Sequence, residues 1–205
     1  MSTPISMPTN VGFKTSRFSL QRKTSVTTSP FTGEQQVFAH SYALWTATYT
    51  LPPMKRENAS QWLSFFMKLK GKQGTFLAND PDATSPLGTI TGSVTLSSSA
   101  SIGDESINIS TSNNSKTGAF KAGDYIQIGS GADSRLYMVT DDVNTNSSGN
   151  ATVNIQPAIK KSATSGASVI YNDPKGVFRM DVDELGWDAN HCSVYGLTFS
   201  CTEAM

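Results

Sequence analysis

Charge, cysteine and histidine are all scarce in this chain. Charged side chains make up 16% of its 205 residues, and sixteen basic groups balance sixteen acidic ones. That balance does not advertise nucleic acid, an anionic membrane or an acidic substrate as a partner. A net charge near zero favours association over dispersion. Two cysteines cannot form a disulfide framework. Cys192 and Cys201 are nine residues apart in what reads as one terminal strand. At ~3.3 Å per residue they stand roughly 30 Å apart on opposite faces, too far for a bond that needs Cα atoms within about 7 Å. Free, partly buried thiols are expected. No apolar run approaches the roughly 20 residues that span a bilayer. The start, MSTPISMPTN, lacks the basic and apolar regions of a secretory signal. Synthesis and folding in a cytoplasm are expected, which makes the Asn-x-Ser/Thr triplets at Asn58, Asn108, Asn113, Asn146 and Asn150 products of composition.

Catalytic and metal-binding patterns are equally sparse. The only histidines are His40, at a strand end, and His191, in a turn after Asp188-Ala189-Asn190. No nucleophile elbow or oxyanion loop accompanies Cys192 and His191. Asp80 and Asp82, Asp141 and Asp142, and Asp181, Asp183 and Glu184 form acidic clusters without EF-hand spacing. They read as turn-capping groups. Gly129-Ser130-Gly131 follows a strand, but no helix follows to complete a phosphate site. Lys55, Arg56, Lys68, Lys70 and Lys72 fringe one helix, their stems covering its flanks. No enzyme activity, no metal and no cofactor is expected.

What the chain does have is concentrated in the run from Trp45 to Asp80. Trp45 to Leu51 alternates large or apolar residues with threonines, the mark of a strand with one buried face. Pro52-Pro53 ends it. Ala59, Trp62, Leu63, Phe66 and Leu69 then fall at helical spacing, predicting a helix over about 54–70 that stops near Gly71. With Phe65 and Met67 added, the apolar arc exceeds half the circumference. One part is expected to pack on a sheet and the remainder to meet another subunit. Gly74 to Ala78 resumes as a strand.

Either side of this run the chain reads as β. Val11 to Arg22 alternates as a strand, Ser29-Pro30-Phe31-Thr32-Gly33 is turn chemistry, and Gln35 to Leu51 returns as one or two strands. After the breaker-rich segment Asn79 to Gly88 come short strands at Gly92–Leu96, Ser106–Ser110, Asp124–Ile128, Leu136–Thr140, Ala151–Ile155 and Ala167–Tyr171, with Ser/Asn/Gly-rich turns. Such spacing predicts a small β-barrel or β-sandwich. Val177–Val182 and Ser193–Thr202 return to longer, aromatic-containing alternation. The fold class is therefore mainly β with one α-helix. Residues 1–87 and 173–205 are expected to form a discontinuous β-sandwich domain, with 88–172 inserted as an all-β domain.

Taken together, the strand ending in Pro52-Pro53, the helix pattern Ala59-x-x-Trp62-x-x-Phe65-Phe66 and the run Leu69-Lys70-Gly71-Lys72-Gln73-Gly74-Thr75-Phe76-Leu77-Ala78-Asn79-Asp80-Pro81 resemble the distal tail, or baseplate hub, proteins of long-tailed bacteriophages. The likeness extends through Phe120 to Ile128, Gly149 to Pro157 and Gly176 to Arg179. It rests on packing and turn patterns, not on catalytic signatures. In that family a β-sandwich with one helix assembles into a ring, usually hexameric, that continues the tail tube, and a second β domain projects outward. Here the second domain is internal, whereas several relatives append it at the C-terminus.

The resemblance implies a virion protein of the tail tip, forming a homo-oligomeric ring between the tail tube protein and baseplate hub or tail fibre proteins. DNA would pass through its lumen without specific binding, and nothing would insert in a membrane. Trp45, Tyr49, Trp62, Phe65, Phe66, Tyr195 and Phe199 are the expected subunit-interface residues, with Trp45–Leu51 and Tyr195–Cys201 as the ring seam. The rival readings are another tail component (tube, completion or minor tail protein), a carbohydrate-binding adhesion module with Tyr125 or Tyr137 as stacking platforms, and a cell-wall enzyme using Asp181 or Asp183.

Overall fold

The computed structural model describes residues 3–184, 186–189 and 194–205. The calls on His191 and Cys192 lie outside them. Before the helix come β1 (Ile5–Ser6), β2 (Thr15–Thr28), β3 (Gln35–Thr50) and β4 (Met54–Lys55). The helix, α1 (Arg56–Leu69), leads to β5 (Phe76–Ala78). Then follow β6 (Val94–Leu96), β7 (Ser106–Thr111), β8 (Tyr125–Ile128), β9 (Arg135–Val139), β10 (Asn150–Gln156) and β11 (Val169–Ile170). The chain finishes with β12 (Gly176–Met180), β13 (Asp188–Ala189), β14 (Val194–Gly196) and β15 (Thr198–Glu203). The protein is mainly β, with 42% of residues in strands and one α-helix.

Three sheets result. The first has the order β1-β5-β12-β15-β3-β2. Its strands alternate with period two, as a sheet with one covered face must. Trp45, Ala47 and Tyr49 of β3, Phe199 and Cys201 of β15, Phe178 and Met180 of β12, and Phe76 of β5 are all buried on the inner face. The second sheet runs β11-β8-β9-β10-β7-β6. Its two end strands meet through the bridge Thr95↔Ser168 and the bonds Leu96 N–H to Ala167 O and Gly166 N–H to Leu96 O, so it nearly closes into a barrel. The barrel holds its own core of Ile, Val and Leu with Phe120 and Tyr137. Gly149 makes one of its turns at φ +74°, where a Cβ would lie 2.0 Å from Thr111 O. The third, β13-β14-β4, is a short ribbon beside the helix.

All six barrel strands fall in sequence between β5 and β12, which are neighbours in the first sheet. The chain thus leaves one strand, builds a barrel and re-enters next door. Leu87 and Gly88 donate their N–H groups to the buried carboxylate of Asp124 at 2.6 and 3.1 Å, pinning the way out. On the way back, Asp173 Oδ1 accepts from Asn79 Nδ2 at 2.8 Å, and Lys175 N–H donates to Gln127 Oε1 at 2.8 Å. The barrel is also docked on the inner face of the first sheet. Trp45 Nε1–H donates to Leu136 O at 2.8 Å, and Tyr125 packs against both Trp45 and Phe18.

The rest of that inner face belongs to α1. Trp62 is fully buried among Phe13, Phe65, Phe66 and Phe199. The helix ends on two successive left-handed residues, Lys70 (φ +52°) and Gly71 (φ +65°), and Gly74 N–H closes on Leu69 O at 2.8 Å. One sequence expectation changes here, and of two alternatives one is found. Ser193–Thr202 is not one strand: it breaks at Leu197, β14 pairing with β4 and β15 with β3. Gln35 to Thr50 is a single strand of 16 residues.

Candidate assembly surface

The residues expected to meet a neighbouring subunit are inside this one. Trp45, Tyr49, Trp62, Phe65, Phe66 and Phe199 are each 5% exposed or less, and Tyr195 is half-buried against the same core. This corrects the sequence reading. The helix does carry apolar residues over more than half its surface, but its own chain covers all of them except Met67, which stays exposed. The N-terminal segment brings Ile5, Met7, Val11 and Phe13 against the helix, and the β4–β14 ribbon flanks it. Tyr49 stacks on Phe13 at 4.5 Å and donates its hydroxyl to Asn79 O at 2.6 Å.

Tyr125 and Tyr137 are corrected in the same way. At 8% and 1% exposure they offer no platform for a sugar. Burial pushes each phenol up to about 12, and the Tyr137 oxygen accepts the Lys160 N–H at 3.2 Å. The seam strands are corrected too. β3 lies between β15 and β2, and β15 between β12 and β3, so neither has a free edge. The edges of the first sheet are β1, only two residues long, and β2, with 14.

The acidic clusters have structural partners. Asp181 accepts from the Thr202 hydroxyl at 2.6 Å, Asp183 from Lys72 N–H at 2.9 Å, and Asp142 from Lys121 Nζ and Ala122 N–H. Lys121 holds the Asp142 carboxyl below the usual carboxylate range. Among the described residues no group of three or more His, Cys, Asp or Glu is placed to hold a metal. Cys201 is a free, buried thiol, pushed up by burial. Among the same residues no helix is long and apolar enough to cross a membrane.

Two exposed features stand out instead. The first is the far half of the β2–β3 hairpin. Up to Arg22↔Ala43 the pair belongs to the sheet; the register then shifts, and His40, Ser41 and Tyr42 stand opposite Lys23 alone. A bulge of this kind bends the ribbon. Beyond it Thr24–Thr28 and Gln35–Ala39 continue as a two-stranded arm exposed on both faces, projecting roughly 20 Å at strand rise. Val26 and Val37 sit directly opposite each other at 55% and 62% exposure. Phe38 and Tyr42 flank His40, and Phe31 at the tip is 95% exposed. At the foot of the arm Arg22 bonds Gln156 of the barrel.

The second is the outer face of the first sheet, a carpet of hydroxyls in register. Thr15, Thr50 and Thr198 form one row, Arg17, Thr48 and Ser200 the next, and Ser19, Thr46 and Thr202 a third. Ser19 and Thr46 hydroxyls lie 2.8 Å apart. Sequence alternation located the threonines of β3 and β15, but not their joint face. The arm escaped sequence reading because Thr24–Thr28 and Gln35–Ala39 carry β-forming residues whether a sheet continues beside them or not. The available signal was the excess length of the two strands over the sheet they join.

No family model matches the chain, and no curated protein matches it.

Proposed function

We propose that this chain is a structural ring protein of a phage tail tip, joining the tail tube to the hub or tail fibres and acting by assembly, not by catalysis. The observation that carries the reading is the arm. An isolated two-stranded ribbon is marginal in water, and this one displays Val26, Phe31, Val37 and Phe38 on its surface. Its form suits a contact made outside its own subunit. The outer edge of β2 continues the same opportunity, a long row of unpaired backbone groups beside the arm. A head-to-tail contact that closes on itself gives a ring, and in the family that the sequence resembles the ring is usually a hexamer. The hydroxyl carpet is the face we assign to the lumen. It bonds water well and carries few charges, so DNA passes without the adhesion a basic pore would cause.

The test replaces Thr24–Ala39 by a two-residue Asn-Gly turn. Native mass measurement of the wild-type chain, alone and with tail tube protein, shows a closed oligomer, and the armless chain stays monomeric. A wild-type chain that stays monomeric and binds neither tube nor tip partners overturns the reading.

A further inference from the structure

We infer that the inserted barrel is a brace that fixes the direction of the arm, with the bond between Arg22 and Gln156 as its outermost tie. That gives the insertion a role of its own. The value of the brace to assembly rests on the ring reading; the brace itself does not. An arm held in one direction meets a partner already oriented and loses less freedom on binding.

The ties follow the β2–β3 ribbon outward and stop at the bulge. Tyr125 of the barrel packs on Phe18 and on Trp45, with ring centroids 6.0 and 5.5 Å apart. At the level of the pair Leu20↔Trp45, the Trp45 Nε1–H donates to Leu136 O at 2.8 Å. Lys160 reaches the same strand through Glu203, whose carboxylate also accepts the Trp45 N–H at 3.1 Å. Arg22, in the last pair before the register shift, donates to Gln156 Oε1. Past the shift, Thr24–Thr28 and Gln35–Ala39 are exposed on both faces. Among the described residues the barrel is therefore the final support of the ribbon before it projects.

The first sheet offers no substitute. β15 pairs with β3 only as far as Thr202↔Thr46, so at Arg22↔Ala43 the ribbon has no third strand of that sheet beside it. A two-stranded ribbon is marginal alone, and a bulge interrupts its ladder and lets it bend. A cleft of about 420 Å³ lies between ribbon and barrel at this level, with Tyr42 and Ala43 on one wall and Ile102, Pro157 and Ile159 on the other. It is the room into which an untied arm leans. The Arg22–Gln156 bond bridges it and so sets how far the arm tilts.

The experiment measures the direction of the arm in the full chain, in a Cys192→Ser background. Nitroxide labels are placed on Thr28→Cys in the arm and Thr198→Cys on the outer face of the first sheet, both exposed positions. Cys201 is buried and stays unlabelled. Labelled chain is diluted in unlabelled chain, so that double electron–electron resonance reads distances within one subunit. One narrow distance is expected. Arg22→Leu shifts and broadens it. So does Gln156→Leu, made together with Glu105→Ala because Glu105 lines the same cleft and is another acceptor for Arg22. The exchanged pair, Arg22→Gln with Gln156→Arg, restores the narrow distance. A broad distance in the wild type, a narrow one that both leucine variants keep, or an exchanged pair that stays broad overturns the brace. A wild-type chain that proves monomeric alone and on the tube leaves this measurement intact and fells the ring reading alone.

Discussion

At the scale of single residues, the most consequential group is one that sequence reading passed over. Glu203 is buried on β15, where its carboxylate accepts the Trp45 N–H at 3.1 Å and the Lys160 ammonium from the barrel. One acid thereby ties the first sheet to the inserted barrel. Burial drives Lys160 below the ordinary lysine range, and the pairing with Glu203 only partly opposes this. Removing one partner of such a pair leaves a charge stranded in a poor solvent. Lys160→Met should therefore cost about 3–5 kcal/mol in urea unfolding. Lys160→Met with Glu203→Gln should recover most of it, because a glutamine oxygen still accepts the Trp45 N–H. Nothing in the sequence marks Lys160 and Glu203 as a pair. They are 43 residues apart and each looks like an ordinary surface charge. By contrast the apolar stripe that carries Trp62 and Phe66 was legible from helical spacing, but the reading sent Trp62, Phe66 and Phe199 to a neighbouring subunit, because spacing does not show which distant segment covers them.

At the scale of elements, the helix and the six barrel strands were read close to their true bounds, because each is short and is followed by turn-forming residues such as Gly, Pro, Asn, Ser or Asp. The arm was not. Its residues favour strand without saying what lies beside it, and only the tertiary structure shows that, among the described residues, nothing of the subunit lies over either face. This has a measurable consequence. Residues exposed on all sides contribute little to stability, within about 0.5 kcal/mol for a surface change, so the armless chain should melt within roughly 2 °C of the wild type. A fall of tens of degrees would mean that the arm packs on its own subunit. On the proposed function, thermal unfolding and self-association should therefore separate, the armless chain keeping the first and losing the second.

At the scale of the whole molecule, two predictions follow from what is buried and what is not. Tyr125 and Tyr137 are pushed from 10.0 up to about 12, and Tyr49 is raised as well, in each case chiefly by burial. A phenol whose folded value is raised binds its proton more tightly in the native state. Its contribution is complete below pH 10 and is lost as pH rises from 10 towards 12. Alkaline titration should show tyrosinate absorbance from these three residues appearing together with loss of the β circular dichroism signal, not before it. The hydroxyl face gives the other prediction. Thr48→Lys and Ser200→Lys should leave tail assembly intact but slow genome ejection several-fold in single-particle DNA-release measurements. Unchanged release would place that face outside the lumen.

The sequence by itself determined the classes of element and the places where the chain turns. Period-two and period-3.6 patterns and turn residues are local, and their physics acts over a few residues. It also determined the absence of a disulfide scaffold and the low, balanced charge, which are matters of composition. Only the tertiary structure decided which apolar surfaces remain uncovered. Burial depends on which distant segments arrive: the N-terminal segment over Trp62 and Phe65, the barrel over Trp45, and nothing over Val26, Phe31 and Val37. The aromatics that the sequence offered to a neighbour are held inside, and the surface left for one is the arm.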